Sequence, residues 1–295
     1  FITMKNLYIL IALVFTIKIS AQTEPQYTQY MYNMSLLNPA YSASKEYTSL
    51  GFIYRNQWAG LEGAPKTMNL FGQTKFSNKL GLGGSIVSDQ IGTENKTFIQ
   101  VDASYPLQIA EDQFISFGLK AGLSMHSINL SEIDTRYGNT NATSPTVGAG
   151  FLYYSSNFYF GASVPNVLET IQTTDEGDEI TIENKDFYAM AGYVFDLNTT
   201  LKLKPNLLIR AAGSSPLTIN LGTNVLVHNK YEFGVGYRLD ESFSGLFNIP
   251  VTSNLRLGYS YDFVTTSISD FAPASHELVV LYNFNSVSET INRFF

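Results

Sequence analysis

Between Leu201 and Ala211 the chain alternates residue by residue. Leu201, Leu203, Leu207 and Ile209 fall in one phase, and Lys202, Lys204, Asn206 and Arg210 in the other. Successive strand side chains point to opposite faces, so this stretch has one apolar face and one face with three cations. A single strand of this kind suits a soluble sandwich with one wet face, but here the pattern repeats. Tyr231, Phe233, Val235, Tyr237 and Leu239 alternate with Glu232, Gly234, Gly236 and Arg238, and Leu255, Leu257, Tyr259, Tyr261 and Phe263 with Arg256, Gly258, Ser260 and Asp262. The stretches Ile99 to Tyr105, Ile115 to Leu123 and Phe187 to Phe195 read the same way. Apolar side chains toward lipid and polar or small ones toward a lumen are the mark of a transmembrane barrel. In hydrocarbon every backbone group needs an internal partner, so a sheet of such strands has to close.

Composition agrees with strands that are apolar on one face only. The chain is 44% hydrophobic and 14% aromatic, but only 15% charged, where a soluble domain carries about 25%. Strands are expected near residues 47–55, 67–76, 79–88, 96–107, 113–126, 146–154, 157–165, 185–197, 200–212, 216–228, 230–239, 242–248, 252–264 and 276–284. That is an all-β, up-and-down antiparallel transmembrane barrel of about fourteen strands over residues 46–285. Twelve strands follow if 242–248, which is short and holds Gly245, and one neighbour are discounted. Connector lengths check the count. Short turns follow even-numbered strands (Ser77-Asn78, Ser155-Ser156, Asn198-Thr199, His228-Asn229), and long connectors follow strands 1, 5, 7 and 13. Bacterial barrels keep short turns in the periplasm and long loops outside, which puts both chain termini on the periplasmic side.

Residues 1–21 read as a signal peptide, with Met4 as the start and Phe1 to Thr3 upstream. Lys5 supplies the positive region, Leu7 to Ile17 the apolar core, and Ile19-Ser20-Ala21 the small-residue cleavage site. Eleven or so apolar residues are too few to span a bilayer as a helix. Residues 22–45 then form an N-terminal periplasmic or plug segment, and 286–295 a C-terminal tail. The chain contains no cysteine, which removes disulfides and thiol chemistry together. A net charge of −7 gives no basic footprint for nucleic acid.

Several motifs interrupt the alternation. They are Gln26-Tyr27-Thr28-Gln29-Tyr30-Met31-Tyr32-Asn33, Asn38-Pro39-Ala40-Tyr41, Tyr54-Arg55-Asn56-Gln57-Trp58-Ala59-Gly60 with Gly63-Ala64-Pro65, Gly81 to Ser85 with Asp89-Gln90-Ile91-Gly92, Tyr259-Ser260-Tyr261-Asp262, and Ser275-His276-Glu277. In this order they resemble the PorP/SprF family, outer-membrane proteins associated with the type IX secretion system, over essentially the whole mature chain. The resemblance implies a barrel of the cell outer membrane, embedded in lipid, that assists secretion, surface anchoring or gliding motility. Its implied partners are a secreted, adhesin-like type IX substrate and periplasmic secretion or motor components. Asn38, Pro39, Tyr41, Arg55, Gln57, Trp58, Pro65, Asp89, Tyr261, Asp262, His276 and Glu277 are the motif positions it marks for a partner-binding or structural role.

The residues themselves carry plainer readings. Arg55 lies in the lumen phase of the first strand and calls for an acid such as Asp102, Glu232 or Asp262, because a buried charge needs a partner. Trp58, just past the strand end, reads as a membrane-interface anchor. Asn38-Pro39-Ala40-Tyr41 reads as a turn, folded into the lumen or facing a periplasmic partner. His126 and His276 fall near the outer rim, with Asp134 and Asp270 in neighbouring loops, but no nucleophile motif accompanies them, so neither catalysis nor a cofactor is expected. The acidic run Asp175 to Glu179 lacks the ligand spacing of a dedicated calcium loop and reads as a solvated surface. Lumen cations (Lys120, Lys202, Lys204, Arg210, Arg238, Arg256) and anions (Asp102, Asp196, Glu232, Asp262) are mixed, as in a salt-bridged interior. The alternative to a secretion role is a passive channel or hydrophobic-solute transporter.

Overall fold

The computed structural model describes residues 25–45, 47–129, 140–168, 170–173, 179–183, 185–212 and 216–284. The signal segment, the tail from residue 286, Asp134 and the acidic run at 175–178 lie outside them. The wall consists of β1 (Thr48–Asn56), β2 (Lys66–Ser77), β3 (Leu80–Ile91), β4 (Glu94–Ala110), β5 (Gln113–Ile128), β6 (Thr140–Ser155) and β7 (Phe158–Val164). Next comes β8, formed by Asp186–Tyr193 and Phe195–Asn198 and interrupted at Val194. The rest are β9 (Leu201–Ala212), β10 (Thr218–Val227), β11 (Tyr231–Arg238), β12 (Ser242–Pro250), β13 (Leu255–Val264) and β14 (Ala274–Phe284). Each pairs antiparallel with its neighbours in sequence, and β1 pairs with β14 from Thr48↔Phe284 to Asn56↔His276. The sheet is therefore a closed fourteen-stranded barrel. The doubtful stretch at 242–248 is a full strand, bonded on both sides. A small hairpin, Thr170–Thr173 with Glu179–Glu183, stands apart in the connector between β7 and β8.

The phases of the alternation sort as expected. Leu119 and Val101 are 67% and 63% exposed on the outer surface, while their neighbours Lys120 and Asp102 are buried inside. Among the described residues no helix is long and apolar enough to cross a membrane. The strand ends that flank the four longest connectors (after β1, β5, β7 and β13) lie at one end of the wall, which we call the long-loop end.

Residues 25–45 run down the inside of this wall. They form a 3-10 turn (Tyr30–Tyr32), one turn of α-helix (Met34–Leu37) and a second 3-10 turn (Pro39–Ala43). Asn38, whose side chain accepts from Ala40 N–H at 3.0 Å, caps that last turn. The motif Asn38 to Tyr41 is thus the start of a short helix. Gln26 stands at the long-loop end beside Trp58 and Leu239, whereas Ser42 and Ala43 press on Gly83 and Gly81 at the opposite end. The start of the described chain therefore lies at the end opposite to the one that turn parity assigns to the N-terminus. Parity places wall strands only, and this segment has no alternation to place it. The wall is thinned where the segment crosses it. A methyl group built at Gly118 would collide with Pro39 and Ala40, and one at Gly150 with Asn38. Tyr27, Tyr30, Met31, Met34, Leu37 and Tyr41 join Ile53, Phe71, Leu152, Tyr159, Met190 and Val279 of the wall in one buried cluster.

A cation placed on the lipid face carries a depth-dependent cost of about 2–4 kcal/mol at mid-bilayer. Leu119→Arg should therefore lower the unfolding free energy of the vesicle-reconstituted barrel by about that amount in denaturant titration. An unchanged midpoint would place the face elsewhere.

Candidate functional site

Four of the sequence motifs meet at one point in the long-loop third of the lumen. Closure of the sheet sets Arg55 of β1 directly opposite Glu277 of β14, and Glu277 opposite Ser260 of β13. The Arg55 guanidinium lies 2.8 Å from Asp262 Oδ2 and 3.2 Å from Glu277 Oε2, with all three side chains buried. Thr28 of the inner segment sits between them. Its hydroxyl donates to Asp262 at 2.7 Å and accepts from Arg55 at 3.0 Å. Its backbone N–H donates to Glu277 Oε2 at 3.0 Å, and that of Gln29 to Glu277 Oε1 at 2.8 Å. The Gln29 amide reaches back to the Glu277 carbonyl at 3.2 Å. Charge-assisted bonds of this kind are roughly twice as strong as neutral ones. One arginine thus joins two carboxylates, and one of them, Glu277, in turn holds two backbone donors that would otherwise be buried without partners.

Of the three acids the sequence offered for Arg55, only Asp262 serves. Asp102 pairs instead with Lys120 at 3.1 Å, directly across β4 and β5. Glu232 accepts from the Asn224 amide at 2.6 Å. Glu277, the second partner, was in view as a motif residue but not as a partner. The pairing of the first strand with the last was the signal that identifies it.

The other contacts run the length of the segment. Tyr30 donates to Asn206 at 2.8 Å, and Asn206 is tied through Asn224 to Glu232. Lys120 Nζ donates to the carbonyls of Ser35 and Leu36 at 3.2 and 3.1 Å. Ser163 donates to Leu37 O at 2.7 Å, Asn38 to Phe151 O at 2.9 Å, and Ser116 to Ala40 O at 2.9 Å. Tyr41 meets Tyr159 edge-on at 5.9 Å.

The remaining motif residues occupy the rim. Trp58 takes a left-handed backbone (φ 50°) and donates its N–H to Ser275 Oγ at 3.0 Å. With Gln26, Arg210, Glu241 and Thr266 it lines a cavity of about 390 Å³. The expected interface anchor therefore turns toward the lumen mouth, because the first loop folds back onto β14. Gln57 N–H closes that loop on Pro65 O at 3.0 Å, and Asp89 accepts from Thr67 at 2.5 Å on the neighbouring strands. His276 points away from Glu277, to the outer face, where it bonds Tyr259 at 2.7 Å and packs edge-on against Tyr261. His126 lies 2.8 Å from Glu94. Among the described residues no cluster of acids and histidines is arranged to hold a metal.

Removing Arg55 leaves two buried carboxylates facing each other. Breaking a buried pair from one side costs about 3–5 kcal/mol, so Arg55→Met should destabilise the barrel by that order in denaturant unfolding. Adding Asp262→Asn and Glu277→Gln should recover part of the loss, and a triple variant no more stable than the single one would contradict the charge argument.

The comparisons match this architecture. Residues 19–282 match the model of the family described as "Type IX secretion system membrane protein PorP/SprF". Among curated proteins no match is found. The fold is similar to the toluene transporter TbuX of Ralstonia pickettii (TM-score 0.53, 10% identity, 84% of this chain and 92% of that one). It is also similar to the outer membrane protein Omp33 of Acinetobacter baumannii (0.51, 10%, 82% and 100%). A FadL homologue of Pseudomonas aeruginosa scores 0.50 at 11% identity over 89% and 95%. At such identities the likeness shows the fold alone. With a family match spanning nearly the whole wall and the inner segment, the chain belongs to the PorP/SprF family of type IX secretion system membrane proteins, and it is a β-barrel of the outer membrane.

Proposed function

We propose that this barrel serves the type IX apparatus as a sealed scaffold, assisting the secretion or surface anchoring of a partner protein through protein–protein contacts. The observation that carries the reading is the lumen filled by residues 25–45. Three cavities along the segment measure about 40, 30 and 20 Å³, room for one to a few water molecules each, while the larger one of about 390 Å³ lies at the long-loop mouth around Gln26 and Trp58. A wall sealed in this way offers surfaces rather than a path. The long-loop end would receive a secreted, adhesin-like substrate, and the short turns would meet periplasmic secretion or motor components, with gliding motility as one output. In this reading residues 1–21 are removed on export, residues 22–45 are the plug, and 286–295 form a tail.

The competing reading is a passive channel or hydrophobic-solute transporter, TbuX being described as a toluene transporter. Reconstitution in a planar bilayer separates the two. The full chain should show no steady conductance, and a stable open level at low voltage would favour the channel. In cells, loss of the gene should abolish surface display of at least one exported protein while bulk solute uptake stays normal. An unchanged set of surface proteins would sink the scaffold reading. A mild-detergent pull-down of the intact barrel would then identify the protein concerned.

A further inference from the structure

Thirteen of the fourteen strand junctions join neighbours in sequence, most of them through short turns that set register directly. The junction of β1 with β14 has no turn. Its strands are more than two hundred residues apart, so nothing local holds them together or sets their register. A slip of one residue would put Arg55 and Glu277 on opposite faces of the sheet.

The inner segment meets the wall at this junction with its densest set of charge-assisted contacts. Thr28 and Gln29 bond Arg55 on β1, Asp262 on β13 and Glu277 on β14. Just above, the first loop adds Trp58 N–H to Ser275 Oγ and Ala59 N–H to Ala274 O at 2.7 Å. Lower on the segment, the hydrogen bonds of Tyr30, Ser35, Leu36, Leu37, Asn38 and Ala40 go to β5, β6, β7 and β9, away from the seam. The acceptor geometry at Glu277 also discriminates. Both its oxygens take segment N–H groups while Arg55 approaches from the facing strand, and only the native register of β1 against β14 brings these groups together.

We propose that Thr28 and Gln29 form a clasp for barrel closure, setting the register of the first strand against the last and holding that seam shut. The clasp gives the dispersed motifs at the two ends of the sequence one shared task. It does not depend on which protein the barrel serves.

Amide hydrogen exchange on the full chain in detergent tests the idea, since exchange reports local opening strand by strand. Gln29→Glu places a third carboxylate beside Asp262 and Glu277 and should lift the clasp. Exchange of the amides at 51–55 and 277–281 should then quicken by about tenfold or more, with β4 and β5 unchanged. Thr28→Val, a gentler change, should quicken the same amides by a few fold. Tyr30→Phe, which loses only the bond to Asn206, should leave the seam as it was. Because the chain has no cysteine, a disulfide between Ile53→Cys and Val279→Cys, which face each other across the seam, can be added cleanly. It should restore slow exchange in the Gln29→Glu background. Equal quickening of every strand, no quickening at the seam, or failure of the disulfide to restore protection would each overturn the proposal.

Discussion

The pairing of backbone N–H and C=O groups in a medium without water governs everything else in this molecule. A strand in hydrocarbon has no solvent partner for its polar groups, so it bonds to neighbours on both sides, and the last strand bonds to the first. Closure then creates an interior. Because side chains alternate, every residue that feeds an apolar group to lipid is followed by one that faces the lumen. The lumen inherits Arg55, Lys120, Lys204, Arg210, Asp102, Glu232, Asp262 and Glu277 as a direct consequence of the outer surface being apolar.

An interior of that kind is stable only if its charges are met. A wide porin meets them with water. Here they are met by one another and by a folded peptide. Asp102 and Lys120 pair across adjacent strands, as do Arg55 and Glu277 across the seam. Arg210 holds Asp186 at 2.6 Å, again on adjacent strands. What these pairs leave over, the segment uses. Lys120 has donors to spare and gives them to the carbonyls ending the short helix, where a cation is favoured. Glu277 has acceptors to spare and takes the N–H groups of Thr28 and Gln29. The backbone of a short irregular peptide cannot satisfy itself, and the polar wall supplies what it lacks.

This division explains what could be read from the sequence. The wall was legible almost strand for strand, including the weak stretch at 242–248, because lipid on one side enforces a strict period of two. The lumen face of Arg55, Lys120 and Lys204 followed from the same period. Partners did not follow, since pairing depends on register, and register across the seam is not encoded in any turn. Arg55 and Glu277 are far apart in the chain and adjacent in space only because the sheet closes. The path of residues 25–45 was not legible either. Its turns are set by what presses on them, such as Gly118 and Gly150 in the wall and the carbonyl of Phe151. Trp58 was misplaced for a related reason: a residue beyond a strand end follows the loop, and this loop folds inward onto Ser275.

The likeness to a toluene transporter shows the fold alone. A barrel wall is a generic solution to the backbone problem, and it recurs at 10% identity because lipid constrains it so tightly. A gate meant to swing aside makes few bonds that a solvated lumen could not replace. The segment here is bonded from Thr28 to Ala40 against seven strands. Its apolar residues share one core with the wall. Displacing it would take from Glu277 and Lys120 the bonds that their wall partners leave open and expose that core at the same moment. On these energetics the segment belongs to the folded wall as a core belongs to a soluble domain.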